Sequence, residues 1–220
     1  MTADSVLVFT RTTGFRHDSI PAGVAAVRVL AADDGLDVVH TEDPGAFTPE
    51  TLAGYRAVVW LSASGNVLEP DQRRAFADWL AAGGGFAGVH GASTAEPDWP
   101  EYQRIVGARF TQHPAIQAAT VRVEDADHPS TAGLPAVWEH TDEWYDFATD
   151  PRGAGVRVLL TVDESTYDGG RMGEDHPVAW ASEYGQGRCW YTALGHSTEL
   201  YEQGGRFLVH LRGGLRSVWS

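Results

Sequence analysis

The chain predicts an α/β protein with a mostly parallel central sheet covered on both faces and an antiparallel hairpin toward the C-terminal end. Three observations carry this. In the N-terminal half, short apolar runs alternate with segments whose apolar residues recur at helical spacing. Those runs are continuous rather than alternating, as expected of strands buried on both sides. Farther on, the strand-like runs "PVAWASEY" (177–184) and "GRCWYTAL" are joined by Gly185-Gln186-Gly187, a link that suits antiparallel pairing.

The elements follow in order. "SVLVFT" (5–10) reads as the first strand. A helix is expected from about Ser19 to Asp34, with Ile20, Val24, Val27 and Leu30 on its apolar face, Asp18 or Ser19 as cap, and Pro21 in its first turn. Gly35 is its stop. "LDVVHT" (36–41) is the second strand, "TPETLAG" (48–54) a short capped helix and "RAVVWLS" (56–62) the third strand. "EPDQRRAFADWLAAGGG" is a helix that presents Ala75, Phe76, Trp79 and Leu80 and ends in Gly83, Gly84 and Gly85. "FAGVHGA" (86–92) is the fourth strand.

The second half is less regular. "QAATVRVED" (117–125) and "VRVLLTVDE" (156–164) read as strands, "HPSTAGLP" as a loop with a helical turn, and about 199–211 as a closing helix. No repeat, linker or domain boundary interrupts the chain, so one domain over residues 1–220 is expected.

Composition narrows function. The 220 residues are 43% hydrophobic and 21% charged, enough for a packed core and against wholesale disorder. The net charge is −14, and the 16 Lys and Arg form no basic run, which argues against nucleic acid and anionic membranes as partners. The start "MTADSVLVFT" lacks the basic-then-apolar pattern of a secretory signal, and no apolar run is long enough to span a bilayer. The single cysteine cannot form an internal disulfide. Together these predict a cytoplasmic protein.

An open α/β sheet binds ligands outside the carboxyl ends of its strands. That rule marks "RTTGFRHDSI" (11–20), "SASGN" (62–66) and "VHGAS" (89–93). Several of the nine histidines fall at such places: His17 after the first strand, His90 at the end of the fourth, and His196 in "LGHSTE" after the last. His113 in "FTQHP" and His176 in "EDHP" are further candidates, whereas His40, His128, His140 and His210 are placed less suggestively. Imidazole transfers protons near neutral pH or ligates a metal.

"TDEWYDF" adds Asp142, Glu143 and Asp146 among Trp144, Tyr145 and Phe147, and a carboxylate packed among aromatics can serve as acid or base. Asp163, Glu164 and Asp175 read as turn residues. Cys189 lies in a strand interior, away from the turn or helix start that activates a thiol, and reads as a packing residue. No phosphate loop, GxGxxG, GxSxG, CxxC or HExxH occurs.

Taken together, "TTGFRHDSI", "GGGFAGVHGA", "FTQHP", "HPSTAGLPAVWEHTDEWYDF", "RVLLTVDE" and "DHPVAWASEYGQGRCWYTALGH" closely resemble the ThuA-like, or trehalose-utilisation, family, over nearly the whole chain. The resemblance implies a class I glutamine amidotransferase-like (flavodoxin-like) fold, a three-layer αβα sandwich. True amidotransferases carry a nucleophilic cysteine at the turn after a strand. The matching place here, "GVHGA", holds His90, so glutamine hydrolysis is not expected.

The family's setting beside sugar oxidoreductases implies a small carbohydrate as partner, a 3-keto sugar in the chemistry that fits best. His17, His90, His113, Glu143, Tyr145 and His196 are the residues expected to supply acid, base and enolate stabilisation. A divalent metal such as zinc is the one cofactor the histidines leave open, and homo-oligomer formation is equally open. A non-catalytic sugar-binding or assembly module is the alternative from a different class.

Overall fold

The computed structural model describes residues 4–220, so the first three residues of the stretch read for a secretory signal lie outside it. Its elements are β1 (Ser5–Phe9), α1 (Ile20–Ala32), β2 (Asp37–Thr41), α2 (Pro49–Leu52), β3 (Ala57–Leu61), α3 (Pro70–Ala81), β4 (Gly85–Val89), α4 (Pro100–Val106), β5 (Phe110–Gln112) and β6 (Gln117–Val123). These are followed by β7 (Val137–Asp142), β8 (Asp146–Phe147), β9 (Arg157–Val162), β10 (Pro177–Tyr184), β11 (Gly187–Thr192), α5 (Thr198–Glu202) and α6 (Arg206–Trp219).

Nine strands form one sheet in the order β2-β1-β3-β4-β11-β10-β9-β6-β7, and β5 pairs with β8 apart from it. The chain is α/β, but the expectation of a mostly parallel sheet is corrected. The pairs from β2 across to β11 are parallel, and those from β11 out to β7 are all antiparallel. No helix of two turns or more lies between β6 and β11, so the connections there do not make the helical crossovers that parallel neighbours need. The hairpin expected at residues 177–194 is present, with Tyr184 opposite Gly187, and it opens an antiparallel wing much larger than itself.

β1, β3 and β4 are buried along nearly their whole length, which is why they read as continuous apolar runs. Helices pack on both faces. Trp60 of β3 stacks on Phe76 of α3 and Tyr102 of α4, with ring centroids 5.5 and 4.7 Å away. On the other face Leu61 of β3 and Trp190 of β11 meet α1 and α6: a Cβ on Gly23 would lie 2.8 Å from Leu61, and one on Gly214 only 2.1 Å from Trp190. That approach of α6 to β11 requires glycine, since any side chain at Gly214 would enter the indole.

Four local expectations are corrected. Ser19 stands at the start of α1, but its side chain makes no capping bond, and Pro21 and the burial of Ile20 start the helix instead. The fourth strand stops at Val89, and His90–Thr94 form a 3-10 turn that His90 enters with φ +50°. α4 was not anticipated, its signal being only a Pro and seven residues. The closing helix is two helices, because Gly204 and Gly205 adopt φ of +75° and +89° between them.

Candidate active site

The three segments marked at the strand ends meet. The loop after β1 bridges the loop after β3 (Thr12 to Ser64), and that loop bridges the turn after β4 (Gly65 to Ala95). Ser64 Oγ donates to the Phe15 carbonyl at 2.6 Å. Gly65, at φ +73°, lets the loops close up, since a Cβ there would lie 2.3 Å from Thr13 Oγ1.

A further segment reaches this edge from the far side of the sheet. β7 is separated from β11 by β10, β9 and β6, about 19 Å in a flat sheet. The chain leaving β7 crosses back. Phe147 packs on Trp180 of β10 and Tyr191 of β11, with centroids 5.2 and 6.3 Å away. Asp142, at the end of β7, ties the crossing down. Its carboxylate accepts from the backbone N–H of Gly195 at 2.8 Å, of His196 at 3.1 Å and of Glu143 at 2.9 Å. His140 Nε2 is 3.3 Å from the same carboxylate.

Glu143 thereby projects among histidines. His90 Nε2 lies 3.3 Å and His196 Nδ1 3.1 Å from its Oε2, and His113 Nε2 lies 3.4 Å from Oε1. The His17 ring packs against those of His90 and His196, with centroids at 4.6 and 5.4 Å. The Tyr145 hydroxyl is 2.8 Å from His90 Nε2. His90 Nδ1 is 2.6 Å from the Ala193 carbonyl, which can only accept, so Nδ1 carries a proton. In the neutral ring Nε2 then accepts from Tyr145. His113 is set the same way: Nδ1 donates to the Pro114 carbonyl at 2.8 Å, leaving Nε2 as the basic nitrogen.

The electrostatics follow from burial and crowding. Burial, then the neighbouring His90 and His196, push the His17 pKa down to about 3, so the ring is neutral at physiological pH. Burial alone would raise the Glu143 carboxyl, but contacts with His196 and His90 outweigh it and hold the group well below the usual carboxylate range. The Glu143 contact raises His196 in turn. Burial raises Tyr145 well above the ordinary phenol, keeping its proton on.

All six residues expected at the site, His17, His90, His113, Glu143, Tyr145 and His196, lie around this one cleft. Four of them, His17, His113, Glu143 and Tyr145, line a cavity of about 530 Å³ together with Phe15, Ser64, Thr94 and Phe110, and His90 and His196 lie behind these. Phe15, Ser64, Thr94 and Phe110 were not anticipated, although Phe15 and Ser64 lie inside the marked loops. Phe15, 69% exposed, stands at the mouth edge-on to His17.

Other candidates lie elsewhere. His176 is fully buried, and Glu164, in the 3-10 turn after β9 as its reading as a turn residue expects, reaches inward to it, with Oε1 2.8 Å from His176 Nδ1. Cys189 is buried in β11, and burial pushes its thiol up to about 12, consistent with a packing residue. Among the described residues no helix is long and apolar enough to cross a membrane.

Comparisons with known proteins give the family and the fold. The profile of the family described as ThuA, trehalose utilisation, matches residues 5–218. A ThuA-like protein from Bacteroides uniformis superposes with a TM-score of 0.79 at 23% identity, over 95% of this chain and 89% of that one. A ThuA-like protein from Parabacteroides merdae gives 0.77 at 21% identity, over 97% and 89%. A cytoplasmic protein from Salmonella typhimurium LT2 gives 0.69 at 14%, over 97% and 99%. No curated protein matches the chain by sequence.

Proposed function

We propose that this chain, which belongs to the ThuA (trehalose utilisation) family, acts on 3-keto sugars or related disaccharide derivatives as a lyase, hydrolase or isomerase. One observation carries the reading. Acid–base groups from three separate segments, His17, His113 and the pair Glu143 and Tyr145, converge on one cavity whose volume of about 530 Å³ falls in the range of roughly 300–1,000 Å³ usual for small-molecule sites.

The chemistry starts from the ketone. A C3 carbonyl acidifies the C2 proton, and a base that takes it leaves an enolate. The enolate either expels the C1 oxygen substituent, forming a C1–C2 double bond as the ketone returns, or is reprotonated on its other face. Such a site needs a base, a proton donor and a group that stabilises the enolate oxygen. His113 is placed as the base: its Nε2 is free of the proton held toward Pro114, and the ring lines the cavity. Tyr145, kept protonated, is the donor to the departing oxygen. Glu143 is held too far down to be a strong base and serves as a fixed negative anchor for the histidines.

The test is incubation of the purified protein with 3-keto-trehalose or a 3-keto-glucoside in deuterated water, followed by NMR. Deuterium at C2 or release of the C1 substituent is expected. An unchanged substrate without exchange overturns the proposal.

A further inference from the structure

Three histidines have no proton-transfer role in that chemistry. They are His17, His90 and His196, and with Glu143 they make a set of their own: one donor atom from each lies within 4.8 Å of all the others. Hydrogen bonding accounts for His90, between the Ala193 carbonyl and the Tyr145 hydroxyl, but not for the other two. His17 is only 5% exposed, yet its Nδ1 has no hydrogen-bond partner among the described residues. His196 Nδ1 is also buried and is not aligned to bond the Glu143 oxygen 3.1 Å away. Crowding imidazoles around one carboxylate with polar nitrogens unsatisfied is costly, unless a further group binds to them.

The spacing says what that group is. An ion bonded at about 2.0–2.1 Å to tetrahedral nitrogen and oxygen ligands sets them about 3.3 Å apart. His196 and His90 stand 3.1 and 3.3 Å from Glu143 Oε2. The outer supports are those of a metal site as well. His90 donates Nδ1–H to the Ala193 carbonyl, which turns Nε2 inward, where an ion would displace the Tyr145 hydroxyl and free its proton for the substrate, and Asp142 holds the backbone of both Glu143 and His196.

We infer that His17, His90, Glu143 and His196 together bind one divalent first-row transition metal ion, zinc in the first instance. The donor set of imidazoles and one carboxylate selects this class over magnesium or calcium, which take oxygen. The inference rests on the same cleft as the 3-keto-sugar reading and deepens it. A dication with one carboxylate and three neutral rings leaves a single positive charge beside the cavity. That charge matches the single negative charge of an enolate, so the ion polarises the C3 ketone while His113 and Tyr145 move the protons.

The test separates the two readings. Protein purified without chelator or nickel resin is analysed for metals, then stripped and titrated with Co²⁺, whose visible bands report nitrogen and oxygen coordination without any need for activity. About one ion per chain is expected. Affinity should fall by a factor of about 100 or more in His17→Ala and in Glu143→Gln, and stay unchanged in Cys189→Ala, which lies outside the site. Urea unfolding of each stripped variant checks that it is folded.

Stripped wild-type protein that gives no Co²⁺ bands overturns the metal site, and so does equal affinity in wild type and His17→Ala. C2 exchange by fully stripped protein that takes up no Co²⁺ overturns the ion and leaves the sugar reading standing. Ion binding with the expected losses but no C2 exchange supports the ion and overturns the sugar reading.

Discussion

Two clusters of histidine and carboxylate have equally close-set donor atoms, within 4.8 Å of one another: His17, His90, Glu143 and His196 at the strand ends, and Asp146, Glu164 and His176 beneath them. They differ in whether hydrogen bonds use up their polar atoms. In the second, His176 Nδ1 meets Glu164 and the Tyr167 hydroxyl, and its Nε2 donates to the Tyr145 carbonyl. Asp146 accepts from Gln112 and the Arg171 N–H, and Glu164 from the Met172 N–H. In the first, the buried His17 Nδ1 has no such partner, and His196 Nδ1 has only a poorly aligned Glu143 oxygen 3.1 Å away. Proximity of ligand-type residues therefore does not mark a site, whereas proximity with hydrogen bonds left unmade does. The closed cluster is a brace, and through the Tyr145 carbonyl it holds the segment that carries the open one.

This contrast can be broken experimentally, most strongly through activity. His113→Ala should lower C2 exchange by about 10²–10⁴-fold, the usual worth of a positioned base, with stability nearly unchanged because the side chain is partly exposed. NMR exchange rates and urea midpoints check both. Stability should show the next largest effect. His176→Ala should cost about 3 kcal/mol by urea unfolding, because it leaves a buried cavity and an unpaired Tyr145 carbonyl and takes one of its partners from Glu164. His17→Ala in stripped protein should cost less than about 1 kcal/mol, since it removes a ring whose Nδ1 makes no hydrogen bond. Equal losses in the two variants would erase the distinction.

Acid sensitivity should sharpen it further. His210 is fully buried between the Ser130 carbonyl and Thr192 Oγ1, and burial pushes its pKa down to about 3 from 6.5 in the unfolded chain. As pH falls below 6.5 the unfolded chain takes up this proton and the folded one does not, so stability present above 6.5 is lost progressively toward pH 3. His128, pushed to about 4 by burial, adds in the same sense. His210→Gln should flatten the dependence of the urea midpoint on pH. The smallest effect is expected at Cys189. Cys189→Ala should change exchange by less than about two-fold, and the native thiol should resist alkylation because it is buried and protonated.

Much of this was legible in the sequence, for reasons that differ by region. The parallel half announces itself because each strand is buried on both faces and each helix has a polar side, so β1, α1, β3, α3 and β4 leave unambiguous patterns. His17, His90 and His196 could be picked out because the rule for strand ends applies there. In the antiparallel wing β6, β9, β10 and β11 could be read as strands, but β7 mixes aromatics with carboxylates and β8 has two residues, too few for any periodicity. The brace formed by His176 and Glu164 could not be read, because those residues are joined only by tertiary contact. Asp142 was visible as a carboxylate, but its three backbone bonds depend on a chain crossing that no local pattern encodes.

That crossing has a consequence for the order of folding. His17 follows the first strand, His196 follows the last, and Glu143 arrives from the opposite margin of the sheet. No autonomous fragment brings the three together, and contacts of such sequence separation close late because the intervening chain must be ordered first. Whatever binds them is thus a clasp on the whole molecule: its binding energy is added to the global unfolding free energy, and it slows the first opening of the fold wherever that opening parts the two ends of the chain.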